Sequence, residues 1–239
     1  MTKPIDRDPI FRGYAFDADI ILLCVRWYIS YRLTYRDLVE MMAERGVRVA
    51  HMTILRWSLR FIPEFVKRWD RFRRPVGASW RVDEPYVSIR GRWHYLYRAV
   101  DQHGKTIDFL LRPDRGIAAA QAFFRKALDS NGGRFPRKVT LDGHVPSRVA
   151  LWRLRREHVK WRHVRVRTSQ YLNNIVEQDH RGIKARLRPT KGLKSFASAA
   201  ITLAGFELAH RIRKRQFNLR RRGHRYARST QVDWQIAVA

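Results

Sequence analysis

The chain has 239 residues, of which 50 are Lys or Arg and 21 are Asp or Glu, a formal net charge of +29 at pH 7. That length allows one or two domains, and a hydrophobic content of 45% supports packed cores, which excludes a disordered chain. The single cysteine, Cys24, excludes a disulfide scaffold and a cysteine-based zinc site, and no apolar run approaches the ~20 residues of a membrane span.

The first residues lack a signal-peptide core, so the expectation is an intracellular protein with no membrane partner. Its excess charge calls for a polyanion, nucleic acid before an acidic membrane surface.

Residues 15–62 read as helices. Ile20, Ile21, Leu23, Cys24 and Tyr28 follow Asp17 at helical spacing. Thr34 and Asp37 form a T-x-x-D capping pair that starts a second helix, with Leu38, Met41 and Met42 buried and Gly46 as its stop. A third helix is expected over 50–61. Ile54, Trp57 and Phe61 form its apolar side, and His51, Thr53, Arg56 and Arg60 its outward side. Two helices, a Gly turn and a third helix with a basic face suggest a helix-turn-helix that binds DNA through those four residues. Small three-helix packings with a basic face give the same pattern.

After a basic connector the pattern changes to strands at 80–89, 93–100 and 106–111, joined by turns at Arg90-Gly91 and Gln102-His103-Gly104. A helix over 117–128 should bury Ala119, Ala122, Phe123 and Leu128. A strand at 138–141, a helix over 147–156, a strand at 159–166 and helices over 173–187 and 195–215 follow. Three antiparallel strands and then alternating helices and strands predict a mixed five-stranded α/β sheet in the order of an RNase-H-like fold.

Three acids stand out. Asp83 lies inside the first strand, Asp142 ends the fourth, and Glu177 opens a late helix. Strands one and four should be neighbours, so these carboxylates can converge as hard oxygen ligands for Mg²⁺, with Mn²⁺ as a substitute. Two such ions suit phosphodiester displacement. The alternatives are an ordinary Asp-Gly turn at Asp142, a helix-dipole role for Glu177 and an i,i+4 pair between Glu177 and Arg181. Glu84 should point to the opposite strand face from Asp83. Asp101, Asp108 and Asp114 read as solvated. His180, Arg181 and Lys184 share the helical stripe of Glu177 and could meet a phosphate backbone. Trp93, Tyr95 and Tyr97 alternate along one strand and read as one packed face.

Asp83, Asp142 and Glu177, with 34 residues between the last two and Lys184 seven residues on, resemble the DDE triad of insertion-sequence transposases. The blocks at 91–101, 171–184 and 192–200 are similar to the IS6 family (IS26-like), and the resemblance runs over about residues 13–217. It implies a helix-turn-helix within 1–62, a basic linker at 63–79 and an RNase-H-like DDE catalytic domain over 80–190. A C-terminal helix at 191–217 would pack on that domain, and 218–239 would be a basic, flexible tail. The resemblance further implies catalysis by Asp83, Asp142 and Glu177 with Mg²⁺, on terminal inverted repeats and target DNA as double-stranded partners. It implies replicative transposition through cointegrates by a homo-oligomer, at least a dimer, on DNA in the cytoplasm of a prokaryotic cell. Pro85, Arg148 and Gly182 depart from the family pattern. A decayed or domesticated copy that only binds DNA is the alternative. A DNA-binding regulator explains the charge but not the three placed acids. A tyrosine recombinase would need His210, Arg213 and Tyr226 to act together.

Overall fold

The computed structural model describes residues 8–169, 174–187, 193–219, 233–235 and 237. The chain divides into two compact units: Met1–Arg74, Ala185–Lys191 and Ser195–Ala239 form one, and Pro75–Lys184 with Gly192–Lys194 form the other.

The first unit is helical. Helix α1 (Ala18–Ser30) buries Ile21, Cys24, Val25, Tyr28 and Ile29. Helix α2 (Tyr35–Ala43) starts with a reciprocal cap: the Thr34 hydroxyl accepts from the Asp37 amide at 3.1 Å and the Asp37 carboxylate accepts from the Thr34 amide at 2.7 Å. Helix α3 (His51–Asp70) is longer than the sequence suggested and runs through Pro63. Pro63 removes one backbone donor, but Ile62, Phe65 and Trp69 keep the buried stripe going, and their burial outweighs the break. Much of the expected 63–79 linker is therefore helix.

The long C-terminal helix (Phe196–Arg213, numbered α8 in chain order) belongs to this helical unit, where it packs on α1 and α3. Gly205 permits it, because a Cβ there would lie 2.6 Å from Ile29 Cγ2 and 3.0 Å from Ile62 Cδ1. The Arg186 and Arg213 guanidinium groups donate to carbonyls at the end of α1, those of Ile29 and Ser30. The segment expected to be a flexible tail also has a buried part. Leu219 and Trp234 are buried, and Trp234 packs edge-on to Trp69 at 5.4 Å and Phe65 at 5.7 Å.

The second unit is a six-stranded mixed sheet with helices. Its strands are β1 (Ser79–Asp83), β2 (Tyr86–Ile89), β3 (Arg92–Asp101), β4 (Thr106–Arg112), β5 (Lys138–Leu141) and β6 (Arg165–Thr168). β1 and β2 replace the single expected strand. Both pair antiparallel with β3, Asp83 opposite Arg98 and Tyr86 opposite Tyr95, so the register does not slip across the gap. Pro85 lacks the donor a strand needs, yet its carbonyl still accepts from the Leu96 amide at 2.9 Å. β4 pairs with β3, while β5 pairs parallel with β1 and β6 parallel with β5.

One sheet face carries the core of this unit. Trp80, Val82, Tyr97, Ala99, Val139 and Leu141 meet Phe123, Phe124 and Ala127 of α4 (Ile117–Ser130) and Ala150, Leu151 and Leu154 of α5 (Val145–Glu157). Ala122 and Leu128 are only half-buried. The expected last strand at 159–166 is instead a short helix, α6 (Val159–Arg162), followed by β6. Trp161 turns into the core beside Phe124 and Phe135, which the helical turn allows. Helix α7 (Asn174–Leu187) follows.

Candidate active site

Asp83 closes β1, and Asp142 follows the last residue of β5. The two strands run parallel with Val82 opposite Leu141, so Asp83 and Asp142 are the next residues along neighbouring strands. Such strands lie about 4.8 Å apart. The alternation that sends Val82 and Leu141 into the core turns Asp83 to the other face, where α7 meets it.

That meeting has two contacts. His180 Nδ1 lies 2.9 Å from Asp83 Oδ2, and Arg98 donates to Asp179 at 2.8 Å. His180 is buried and Arg98 fully so. Burial by itself would raise the Asp83 carboxyl. The hydrogen bond and charge of His180, the Glu84 amide at 2.7 Å and the charge of Lys184 outweigh it and hold Asp83 below the usual carboxylate range. Asp83 is thus kept ionised by basic groups of α7.

Asp142 is half-buried, and its Oδ1 accepts from the His144 amide at 3.1 Å. Gly143 between them has φ +105°, a conformation that side chains resist. Glu177 is in α7, one turn before His180, and its side chain lies outside the described residues. Among the described residues no three His, Cys, Asp or Glu side chains gather as a metal cluster. The donors that are described fit a divalent cation: two carboxylates, both hard oxygen ligands, end adjacent parallel strands.

Of the expected DNA-contact residues, Arg181 and Lys184 are exposed on α7, while His180 is turned in towards Asp83. His51, Arg56 and Arg60 are exposed on α3 and Thr53 is half-buried. Tyr226 lies outside the described residues. Arg148 is exposed on α5, and Gly182 is accommodated inside α7.

The structure gives partners to acids that sequence reasoning set aside from the site. Glu84 does face away from Asp83, as alternation requires, and is buried on the core side. Its carboxylate meets Ser147 Oγ, His144 Nδ1 at 2.6 Å and Arg115 Nε at 3.3 Å. A charge on the same strand face as Trp80 and Val82 was the available signal. Asp101 and Asp108 are buried rather than solvated. Asp101 accepts from the Gly77, His103 and Lys105 amides, and Asp108 from Lys126 Nζ at 2.7 Å. A buried acid is tolerated where amides or a lysine take the place of its water.

Comparison with known proteins identifies the family. Residues 77–216 match the family model of the IS240-type transposase DDE domain. The chain is 38% identical over 205 residues to the transposase for insertion sequence-like element IS431mec of Staphylococcus aureus (strain Mu50), covering 86% of this chain and 89% of that one. It is 37% identical, over the same shares, to the transposase for insertion sequence element IS257 in transposon Tn4003 of Staphylococcus aureus. Among solved structures, the HTLV-2 integrase catalytic core domain in complex with magnesium is 18% identical, covering 56% of this chain and 88% of that one with a TM-score of 0.42. The family match covers more than half of the chain and the relatives most of it. The chain is therefore a DDE-domain transposase, a polynucleotidyl transferase, and a member of the IS6 family of insertion-sequence transposases.

Proposed function

We propose that this transposase binds the terminal inverted repeats of its element and joins their 3′ ends to target DNA by replicative transposition, leaving cointegrates. The observation that carries the reading is the parallel register of β1 and β5, which sets Asp83 beside Asp142, with α7 held against Asp83 through His180. Asp83, Asp142 and Glu177 would hold Mg²⁺, or Mn²⁺ in its place. A divalent ion bound there supplies an activated water and charge neutralisation for an in-line displacement.

The chain's own groups do the rest. His180 and Lys184 keep Asp83 ionised, and exposed Arg181 and Lys184 supply cations for phosphates beside the acids. Hydrolysis at the element end frees a 3′-OH. That oxygen then forms a P–O bond to a target phosphate as the target's own P–O bond breaks, with no covalent enzyme intermediate. The exposed His51, Arg56 and Arg60 of α3, with Thr53, would read the repeats as the second helix of a helix-turn-helix. Pairing of two ends requires at least a dimer. The setting is DNA in the cytoplasm of a prokaryotic cell.

The test is Asp142→Asn, assayed on a duplex carrying the element end with Mg²⁺. Strand transfer should fall by at least about 10³-fold, a loss of ~4 kcal/mol of transition-state stabilisation, while end binding changes little. Retained transfer would remove Asp142 from the chemistry.

A further inference from the structure

Trp93, Tyr95 and Tyr97 alternate along β3 as one face should, yet the structure treats them differently. Tyr97 is fully buried against Phe123, with ring centroids 5.7 Å apart. Tyr95 is half-buried, and Trp93 is 65% exposed. Tyr86, directly opposite Tyr95 and diagonal to Trp93, is 48% exposed. Its ring lies 6.1 Å from that of Trp93, edge-on, and 5.2 Å from that of Tyr95.

One basic group lies against these rings, and two more stand in the adjoining turn. The Arg115 guanidinium sits 5.6 Å over Tyr86 and 5.9 Å over Tyr95, and donates to the Tyr86 hydroxyl at 3.0 Å. Arg90 and Arg92 are exposed at the turn beside Trp93. The turn itself is tight. Arg90 and Gly91 have φ +52° and +75°, the conformation of a two-residue type I′ hairpin, so the rings stand on paired strands. Core packing explains Tyr97. It does not explain two large exposed rings, one of them under a guanidinium group.

We propose that Tyr86 and Trp93 on the β2–β3 hairpin form a stacking site for an unpaired DNA base, with Arg90, Arg92 and Arg115 meeting the adjoining phosphates. The proposal rests on the DNA-joining reading above and adds a ligand class to it. Aromatic rings accept any base by its π-face, and guanidinium groups supply the charge that a phosphodiester chain requires. Tyr86 follows Asp83 by three residues on a continuous register, about 10 Å along the strand and on the opposite sheet face, the face of Glu84. Arg115 also touches Glu84, next to Asp83, at 3.3 Å. Cutting and joining expose unpaired nucleotides of the kind such a site would take.

The test uses the full chain and two labelled duplexes of equal length, one blunt and one with a short single-stranded overhang containing 2-aminopurine. Trp93→Ala should weaken overhang binding about tenfold and blunt-duplex binding by less than about twofold. Stacking should quench 2-aminopurine fluorescence with the wild type and with Trp93→Phe, but not with Trp93→Ala. Equal losses on both duplexes, or no loss on the overhang, would overturn the stacking site. So would unchanged DNA selectivity with a lower oligomeric mass for Trp93→Ala, which would assign the hairpin to a protein contact. Failure of the wild type to bind either duplex would instead sink the DNA-joining reading, and this site with it.

Discussion

A carboxyl group that shares a sheet face with Trp80 and Val82 loses its water, and Glu84 has replaced that water with Ser147, His144 and Arg115. Burial is the main reason that its carboxyl is pushed up to about 7, with the Asp142 charge adding to it, against the pull of Ser147 and Arg115. His144 moves the other way, lowered by burial and by Arg115. Both directions favour an uncharged pair, with the protonated Glu84 carboxyl donating to His144 Nδ1. A carboxyl raised on folding stabilises fully below its unfolded value, near 4.5, and loses that contribution as pH climbs through about 7. The loss amounts to about 3 kcal/mol at 1.36 kcal/mol per unit. Glu84→Gln should therefore gain stability relative to the wild type between pH 4.5 and 7, measured by urea denaturation across that range. A constant difference would show that Glu84 does not titrate there. The alternation of side chains made the direction of Glu84 legible in the sequence. Its partners were not, because Arg115 and Ser147 reach it across 31 and 63 residues of chain.

At the scale of elements, local signals were readable and long-range ones were not. The Thr34–Asp37 cap needs only four residues, and the sequence places the start of α2 from it. The third helix was expected to end at Phe61, yet α3 continues through Pro63 because Ile62, Phe65 and Trp69 have a core to fill. The partner of α8 was equally hidden. Its apolar residues say that it is buried but not against what, and the telling residue is Gly205, where Ile29 and Ile62 occupy the space of a side chain. Gly205→Ala should gain up to about 1 kcal/mol of helix propensity. It should lose more, about 1–3 kcal/mol, to the displaced isoleucines. A net fall in the denaturation midpoint is expected, and a rise would mean that α8 can move away from α1 and α3 at little cost. Arg98 and Asp179 teach the same lesson for α7: a fully buried arginine in the middle of β3 has no meaning until the helix that answers it is in place.

Across the whole molecule the net charge of +29 sets how the protein meets DNA. Each phosphate neutralised by a Lys or Arg releases counterions, so affinity should fall steeply as salt rises. With 6–10 phosphates engaged, the loss between 50 and 200 mM salt would be about 10³–10⁵-fold. A nearly flat response in a titration of duplex binding would mean that the basic surface serves another purpose. The neighbouring of β1 and β5, which brings Asp83 beside Asp142, was legible from the order of elements alone, whereas the split of β1 from β2 and the place of β6 were not. The division between the units was not, since α8 returns late in the chain to join helices from its beginning.

Trp234 has a consequence for how charge and fold can be separated. It fills a space between Phe65 and Trp69, beyond the run of arginines that includes Arg220, Arg221, Arg222, Arg225 and Arg228. Cutting the chain after Leu219 would remove those charges, but it would also uncover two aromatic rings of α3. A shortened protein that fails to hold DNA would report a damaged helical unit as readily as a missing cation. Replacing the arginines by serine within the intact chain leaves Trp234 in place, so a change in affinity then measures charge alone.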